Sequence, residues 1–143
     1  MKGKYSILVQ NNRLRYEFTI YRNITIIRGD SATGKTTLLD LLAAYYRDGE
    51  SSGVIVRCDV PCVVIGGQHW RESLAPIHGS IVFIDECNAF VKSEDFAVSI
   101  KESDNYFVIV TRGDLPNLPY SVNEIYGIRE SNKYAGLKQV YNE

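Results

Sequence analysis

The stretch that most limits the fold is Asn23-Ile24-Thr25-Ile26-Ile27-Arg28, followed by glycines at 29 and 34 and then by Lys35 to Tyr46. A short run of β-branched residues, apolar on successive positions, suits a strand buried on both faces, as in a parallel sheet. Such a strand needs a crossover. Leu38, Leu39, Leu42, Tyr45 and Tyr46 recur at helical spacing and supply it, and Asp48-Gly49 stops the helix. Strand, glycine-bearing loop and helix thus fix one βα unit, around which the rest of the chain must build a layered α/β domain.

The flanking segments extend this unit. Leu14, Tyr16, Phe18 and Ile20 alternate with Arg15, Glu17 and Thr19, the period of a half-buried strand. Tyr5 to Gln10 is its expected antiparallel partner, with Asn11-Asn12 as a tight two-residue turn. Val54 to Cys58, Cys62 to Ile65, Ser80 to Asp85 and Tyr106 to Thr111 are short runs rich in Val, Ile, Phe or Cys and read as further strands. Between the last two, Ser93 can cap a helix with Glu94 and Asp95 in its first turn and Phe96, Ala97 and Ile100 on its core face. Glu124 to Glu130 and Tyr134 to Tyr141 read as a C-terminal hairpin around Ser131-Asn132-Lys133. The expected class is α/β, three layers, with a mainly parallel sheet and an antiparallel hairpin at each end of the chain.

Composition narrows the function. With 143 residues, 45% of them hydrophobic, positions 1–143 suffice for a single domain with a core that needs no metal or disulfide support. Sixteen basic against seventeen acidic residues give a net charge of -1, so there is no strong signal for nucleic acid. The apolar runs are too short for a membrane span of ~20 residues, and Met1 to Tyr5 does not lead into a signal-peptide core. Cys58, Cys62 and Cys87 are an odd number without a second Cys/His pair for zinc, and read as reduced thiols of a cytoplasmic protein. His69 and His78 flank Trp70 without an acid or cysteine at ligand spacing, which favours surface or core histidines over metal ligands. The ten tyrosines fall mostly on expected strands or the first helix, where packing explains them better than base stacking.

The loop from Gly29 to Gly34 carries the chemistry. Gly29-Asp30-Ser31-Ala32-Thr33-Gly34-Lys35-Thr36 matches the phosphate-loop pattern at every fixed position and stands between a buried strand and a helix, where that pattern works. Glycines allow the backbone to wrap so that successive N–H groups face a β-phosphate, while the helix N-terminus favours the same negative charge. Lys35 adds a cation for the β- and γ-phosphates, the Thr36 hydroxyl suits Mg²⁺, and Thr37 suits the α-phosphate region. The expected ligands are therefore ATP or ADP with Mg²⁺.

Ser80-Ile81-Val82-Phe83-Ile84-Asp85-Glu86 is a second element of the same chemistry. A buried strand ending on a carboxylate can hold magnesium through a bound water, which assigns Asp85 to the metal. Glu86, projecting beyond the strand end, then suits a general base that orients or deprotonates the attacking water.

With both motifs in place, the chain resembles a P-loop NTPase of the additional-strand, catalytic-glutamate branch, similar to ABC- and AAA-type ATPases, with Gly29 to Thr36 as Walker A and Asp85-Glu86 ending Walker B. The resemblance covers roughly Tyr5 to Thr111. It implies a P-loop fold in which the strand after Walker B inserts between the two motif strands and ends on a polar sensor. Tyr106 to Thr111 is similar to that strand, with Thr111 as sensor or ordinary strand-end residue and Arg112 more readily a surface residue. The opening hairpin is closer to ABC-type than to ring-forming ATPases. Gly66-Gly67-Gln68 faintly echoes the ABC signature, yet Ile65 occupies its serine position and a plain strand-end turn is favoured. The resemblance implies a small stand-alone ATPase in which Glu86, Lys35 and Thr111 are the catalytic set.

Other functions fit less well. A GTPase would show Asp-x-x-Gly and Asn-Lys-x-Asp, where this chain has Asp85-Glu86-Cys87-Asn88 and Asn132-Lys133-Tyr134-Ala135. A small-molecule kinase would need a basic lid, yet Glu86 to Asn105 holds only Lys92 and Lys101. The serious alternative is an ATP-dependent binding module with little hydrolysis, using the same loop as a switch. Isolated P-loop domains often await an arginine from a neighbour, so a homodimer or a protein partner supplying one belongs to the expectation.

Overall fold

The computed structural model describes residues 3–28, 35–85, 89–111, 115, 118–119, 124–131 and 134–139. The elements run β1 (Tyr5–Gln10), β2 (Arg15–Ile20), β3 (Ile24–Arg28), α1 (Lys35–Asp48), β4 (Ile55–Arg57), β5 (Cys62–Ile65), α2 (Trp70–Leu74), β6 (Ile81–Ile84), α3 (Glu94–Glu102), β7 (Tyr106–Thr111), β8 (Ile125–Ser131) and β9 (Tyr134–Gln139). Gly49, at φ 61, ends α1 in the left-handed region that an L side chain resists. The chain there tightens into a 3-10 turn, Gly49–Ser52.

The described strands form one sheet in the order β4-β1-β2-β9-β8-β3-β7-β6-β5. Five of them, β8-β3-β7-β6-β5, are mutually parallel. Three, β4-β1-β2, are antiparallel. The expected C-terminal hairpin is present as the antiparallel pair β8 and β9, and it joins the two parts: β8 runs beside β3, while β9 pairs in parallel with β2 through Arg15 and Tyr16. The loop centre at Asn132-Lys133 and the end at Tyr141 lie outside the described residues.

The alternation of the central strands feeds two cores. Ile81 and Phe83 of β6, with Tyr106, Val108 and Val110 of β7, face Leu38, Leu39 and Leu42 of α1. Their neighbours Val82, Ile84, Phe107 and Ile109 face Trp70 and Leu74 of α2 and Phe96, Ala97 and Ile100 of α3. Helices thus cover both faces of the parallel strands, and each fully buried side chain of this size contributes about 2 kcal/mol. Ser93 caps α3 as its sequence suggests, its Oγ accepting from the Phe96 amide at 3.2 Å.

The sheet folds back on itself. β1 and β7 are five strands apart, about 24 Å in a flat sheet, yet the rings of Tyr5 and Tyr106 meet at 5.4 Å and Tyr106 Oη donates to the Gly3 carbonyl at 2.6 Å. The outermost strands β4 and β5 are joined by residues 58–61 alone. Such a connection reaches ~17 Å, whereas eight flat inter-strand steps need ~38 Å. The cause is visible in the first core, where Ile7, Val9, Tyr16, Phe18 and Ile20 pack with the α1 leucines and with β6 and β7. The antiparallel strands close over the side of α1 that the parallel strands leave uncovered.

The connection between β1 and β2 departs from the two-residue turn expected at Asn11-Asn12. Gln10 pairs with Arg15, so residues 11–14 form a four-residue loop. Asn11 organises it: its Oδ1 accepts from the amides of Arg13 and Leu14 at 2.8 and 2.7 Å, and its own amide donates to the Leu14 carbonyl at 2.9 Å.

Candidate functional site

The site is built at the carboxyl ends of three neighbouring strands. β7 lies between β3 and β6, paired in parallel with both. Register brings their ends level: Arg28 stands opposite Thr111, and Ile84 opposite Ile109, which places Asp85 one residue further, at the height of Val110. The three strands are buried and apolar apart from Thr25 until their last residues, so the polar groups Arg28, Asp85 and Thr111 emerge together at one edge. A cleft beyond the carboxyl ends of parallel strands is the usual ligand position in open α/β sheets.

Each residue singled out from the sequence can be placed against this edge. Gly29, Asp30, Ser31, Ala32, Thr33 and Gly34 lie outside the described residues, between the end of β3 and the start of α1. Lys35, Thr36 and Thr37 form the first turn of α1. Asp85 is half-buried just past β6, and Thr111 is buried at the end of β7. Glu86, Cys87 and Arg112 lie outside the described residues. The strand order therefore brings Asp85, Thr111, Arg28 and the amino end of α1 to the same side of the sheet. Arg28, half-buried at the end of β3, is a cation that the sequence showed only as the last residue of an apolar run.

Gly66-Gly67-Gln68 leaves the end of β5, with Gly67 at φ 84 and Ile65 buried in the second core. That is a strand-end turn, as the sequence favours. The turn leads into α2, whose Trp70 stacks on Phe90 at 5.0 Å and 10°. Phe96 meets both rings edge-on, at 5.4 Å from Trp70 and 5.2 Å from Phe90. The Arg71 guanidinium lies 5.3 Å above the Trp70 ring and pairs with Asp95 of α3. Phe90 belongs to the 3-10 turn Ala89–Lys92 that follows the two acids. Aromatic contact thus ties the segment after β5 to the segment after β6. Residues so far apart in the chain carry no shared period, which hid this anchor from the sequence.

At the opposite end of β6 and β7 a polar clamp sets their register. Buried Asn105 accepts from the Ser80 amide through Oδ1 at 2.9 Å and donates through Nδ2 to the Ile77 carbonyl and to Ser103 Oγ, both at 2.9 Å. Near the start of β3, buried Glu124 accepts from Tyr126 Oη at 3.0 Å, and Arg22 Nε lies 4.0 Å away. Burial, reinforced by the Glu124 contact, pushes the Tyr126 phenol up to about 12. His78 pairs with an acid after all, though a distant one in sequence: Nδ1 is 3.1 Å from Asp104 Oδ1 at an exposed position, and this hydrogen bond holds the Asp104 carboxyl below its ordinary value.

Among the described residues no three His, Cys, Asp or Glu side chains converge on a point that would hold a metal ion. No helix among them is long and apolar enough to cross a membrane. No family model matches the chain, and neither a curated protein nor a solved structure gives a significant match.

Proposed function

We propose that the chain is a P-loop ATPase that binds Mg-ATP at the carboxyl edge of the β3-β7-β6 strands and hydrolyses its γ-phosphate. The observation that carries this reading is the interposition of β7 between β3 and β6. That topology is the one implied for the catalytic-glutamate branch, and it gathers Arg28 at the end of β3, the amino end of α1, Asp85 and Thr111 at a single edge.

The roles follow from the donors. Main-chain N–H groups of Gly29 to Gly34 and the N-terminus of α1 hold the β-phosphate, and Lys35 holds the β- and γ-phosphates. Magnesium takes oxygen ligands and needs one or two protein groups besides phosphates and water, which the Thr36 hydroxyl and the Asp85 carboxylate provide. When bound it neutralises charge on the β- and γ-phosphates. Asp85, half-buried at the end of an apolar strand, is preorganised by the strand yet open to solvent, as a metal-bound water requires. Glu86 orients or deprotonates the water that attacks phosphorus, and Thr111 senses the γ-phosphate. The arginine that completes charge stabilisation comes from a second copy or a protein partner.

Calorimetry with ATP and Mg²⁺ on wild type and Lys35→Ala, together with steady-state phosphate release on Glu86→Gln, tests the reading. Uptake of ATP is expected in wild type and Glu86→Gln and not in Lys35→Ala, with phosphate release reduced roughly a hundredfold or more in Glu86→Gln. Binding without turnover in wild type would turn the assignment to a nucleotide-dependent switch; no binding by folded wild type would overturn both.

A further inference from the structure

β4 ends the sheet on its antiparallel side. It pairs with β1 through Ile55, Val56 and Arg57, and no strand among the described residues lies along its other edge. A groove of about 520 Å³ runs there, lined by Gly53, Val54, Ile55, Val56 and Arg57 together with Tyr45 and Glu50. Successive residues of extended chain point to opposite faces of a sheet, so a groove bounded by five in a row follows the edge of the strand and not one of its faces. The outward N–H and C=O groups of such an edge are a template for another strand. Ile55 is one of the large apolar side chains left exposed, at 43%, and half-buried Tyr45 near the end of α1 backs the groove. The groove also carries opposite charges at its two ends. Arg57 closes β4, whereas Glu50 sits at the Gly53 end, its carbonyl accepting from the Gly53 amide at 3.2 Å. Both side chains are exposed, and neither forms an ion pair among the described residues. An edge that is positive at one end, negative at the other and apolar between is complementary to its own reversed copy.

We propose that two copies of the chain associate by antiparallel pairing of their β4 strands about a twofold axis at Ile55, each Arg57 reaching Glu50 of the partner subunit. The two Ile55 side chains meet at the axis. Two residues away, Arg57 comes opposite Gly53 of the partner subunit. At Gly53 nothing lies within 4 Å of the place a Cβ would take, so the guanidinium crosses the strand spacing of ~4.8 Å unobstructed on its way to the carboxylate. Symmetry makes the ion pair twice, and a contact between identical patches closes on itself, so assembly stops at the dimer. With only three residues in β4, the interface is small and belongs with transient contacts. Its dissociation constant is expected on the order of 10–100 µM. The proposed nucleotide edge lies at the amino end of α1, whose 14 residues put it ~21 Å from the β4 end of that helix. The dimer therefore leaves that edge open and does not rest on the ATPase reading.

Sedimentation equilibrium of the full chain without nucleotide, from low micromolar to near-millimolar concentration, is the test. Wild type should pass from monomer to dimer, less readily as salt is raised. Arg57→Glu and Glu50→Arg should each weaken the association ~10-fold or more, because like charges then face each other twice. An equimolar mixture of the two variants restores both ion pairs and should associate as tightly as wild type, a recovery that requires both variants to be folded. On wild type alone, amide exchange of residues 53–57 should slow as protein concentration rises, a readout that needs no variant. Wild type that stays monomeric near millimolar, or a dimer unmoved by both charge reversals, would overturn the proposal. So would a mixture of folded variants that fails to recover, or exchange in β4 that is independent of concentration.

Discussion

At the scale of single residues, Asn105 has the clearest energetic role. Its amide satisfies the Ser80 N–H and the Ile77 carbonyl at the entrance to β6 and β7, and the side chain is buried. Truncation leaves both backbone groups without a partner and away from water, where each lost bond is costly. Asn105→Ala is therefore expected to lower unfolding free energy by about 2 kcal/mol, read as a shift in urea midpoint at constant slope. A shift of under ~0.5 kcal/mol would mean that water reaches the clamp. The pair Tyr126–Glu124 is a further residue-scale device, a buried carboxylate kept satisfied by a phenol that stays protonated well above pH 10.

At the scale of elements, helix α3 shows how local chemistry decides a boundary. Ser93 Oγ accepts from the Phe96 amide and donates to the Phe90 carbonyl at 2.7 Å, so one hydroxyl both starts the helix and fastens it to the preceding turn. Ser93→Ala should cost about 1 kcal/mol, while Ser93→Asp, which can still accept from the amide, should retain most of the stability. Thermal melts of the two variants compare them directly, and equal losses would show that the bond to Phe90 dominates. Elements of this sort were legible from the sequence because cap, acidic first turn and apolar spacing agree. The strands from Tyr5 to Thr111 were legible as well, because β2 alternates with period two and β5, β6 and β7 are continuous apolar runs up to their ends. The loop at 11–14 was not: Asn11-Asn12 suits a two-residue turn by type, and only the pairing of Gln10 with Arg15 decides otherwise. Neighbours were legible for the two hairpins, β1 with β2 and β8 with β9, and for β7 through the resemblance. That the closing hairpin inserts between β3 and β2 depends on pairing between segments about a hundred residues apart, which no local pattern records. Of the candidate site, the types and spacing of Lys35, Asp85 and Thr111 were plain, whereas Arg28 and the Trp70–Phe90 anchor emerged only with the packing.

At the scale of the whole molecule, α1 is shared between both parts of the sheet. Its leucines pack with Tyr16 and Phe18 of the antiparallel strands as well as with Phe83 and Val108 of the parallel ones. The two parts should therefore unfold together. Tyr16→Ala, at a fully buried position in the opening hairpin, is expected to destabilise the entire chain by about 3–4 kcal/mol. Fluorescence of Trp70, the single tryptophan, sits in the other core and should follow the same transition as far-ultraviolet circular dichroism. Separate transitions would show that the hairpin melts by itself.

The position of β7 also dictates when the site can exist. β3 and β6 are not neighbours; they are linked in the sheet through β7, the strand that comes last of the three in the chain. During translation Arg28 and Asp85 leave the ribosome before residues 106–111 do, and the strand that sets their ends level arrives last. A nascent polypeptide halted short of Thr111 lacks the strand on which the proposed site depends, so under the ATPase reading nucleotide uptake should begin only in chains long enough to insert it.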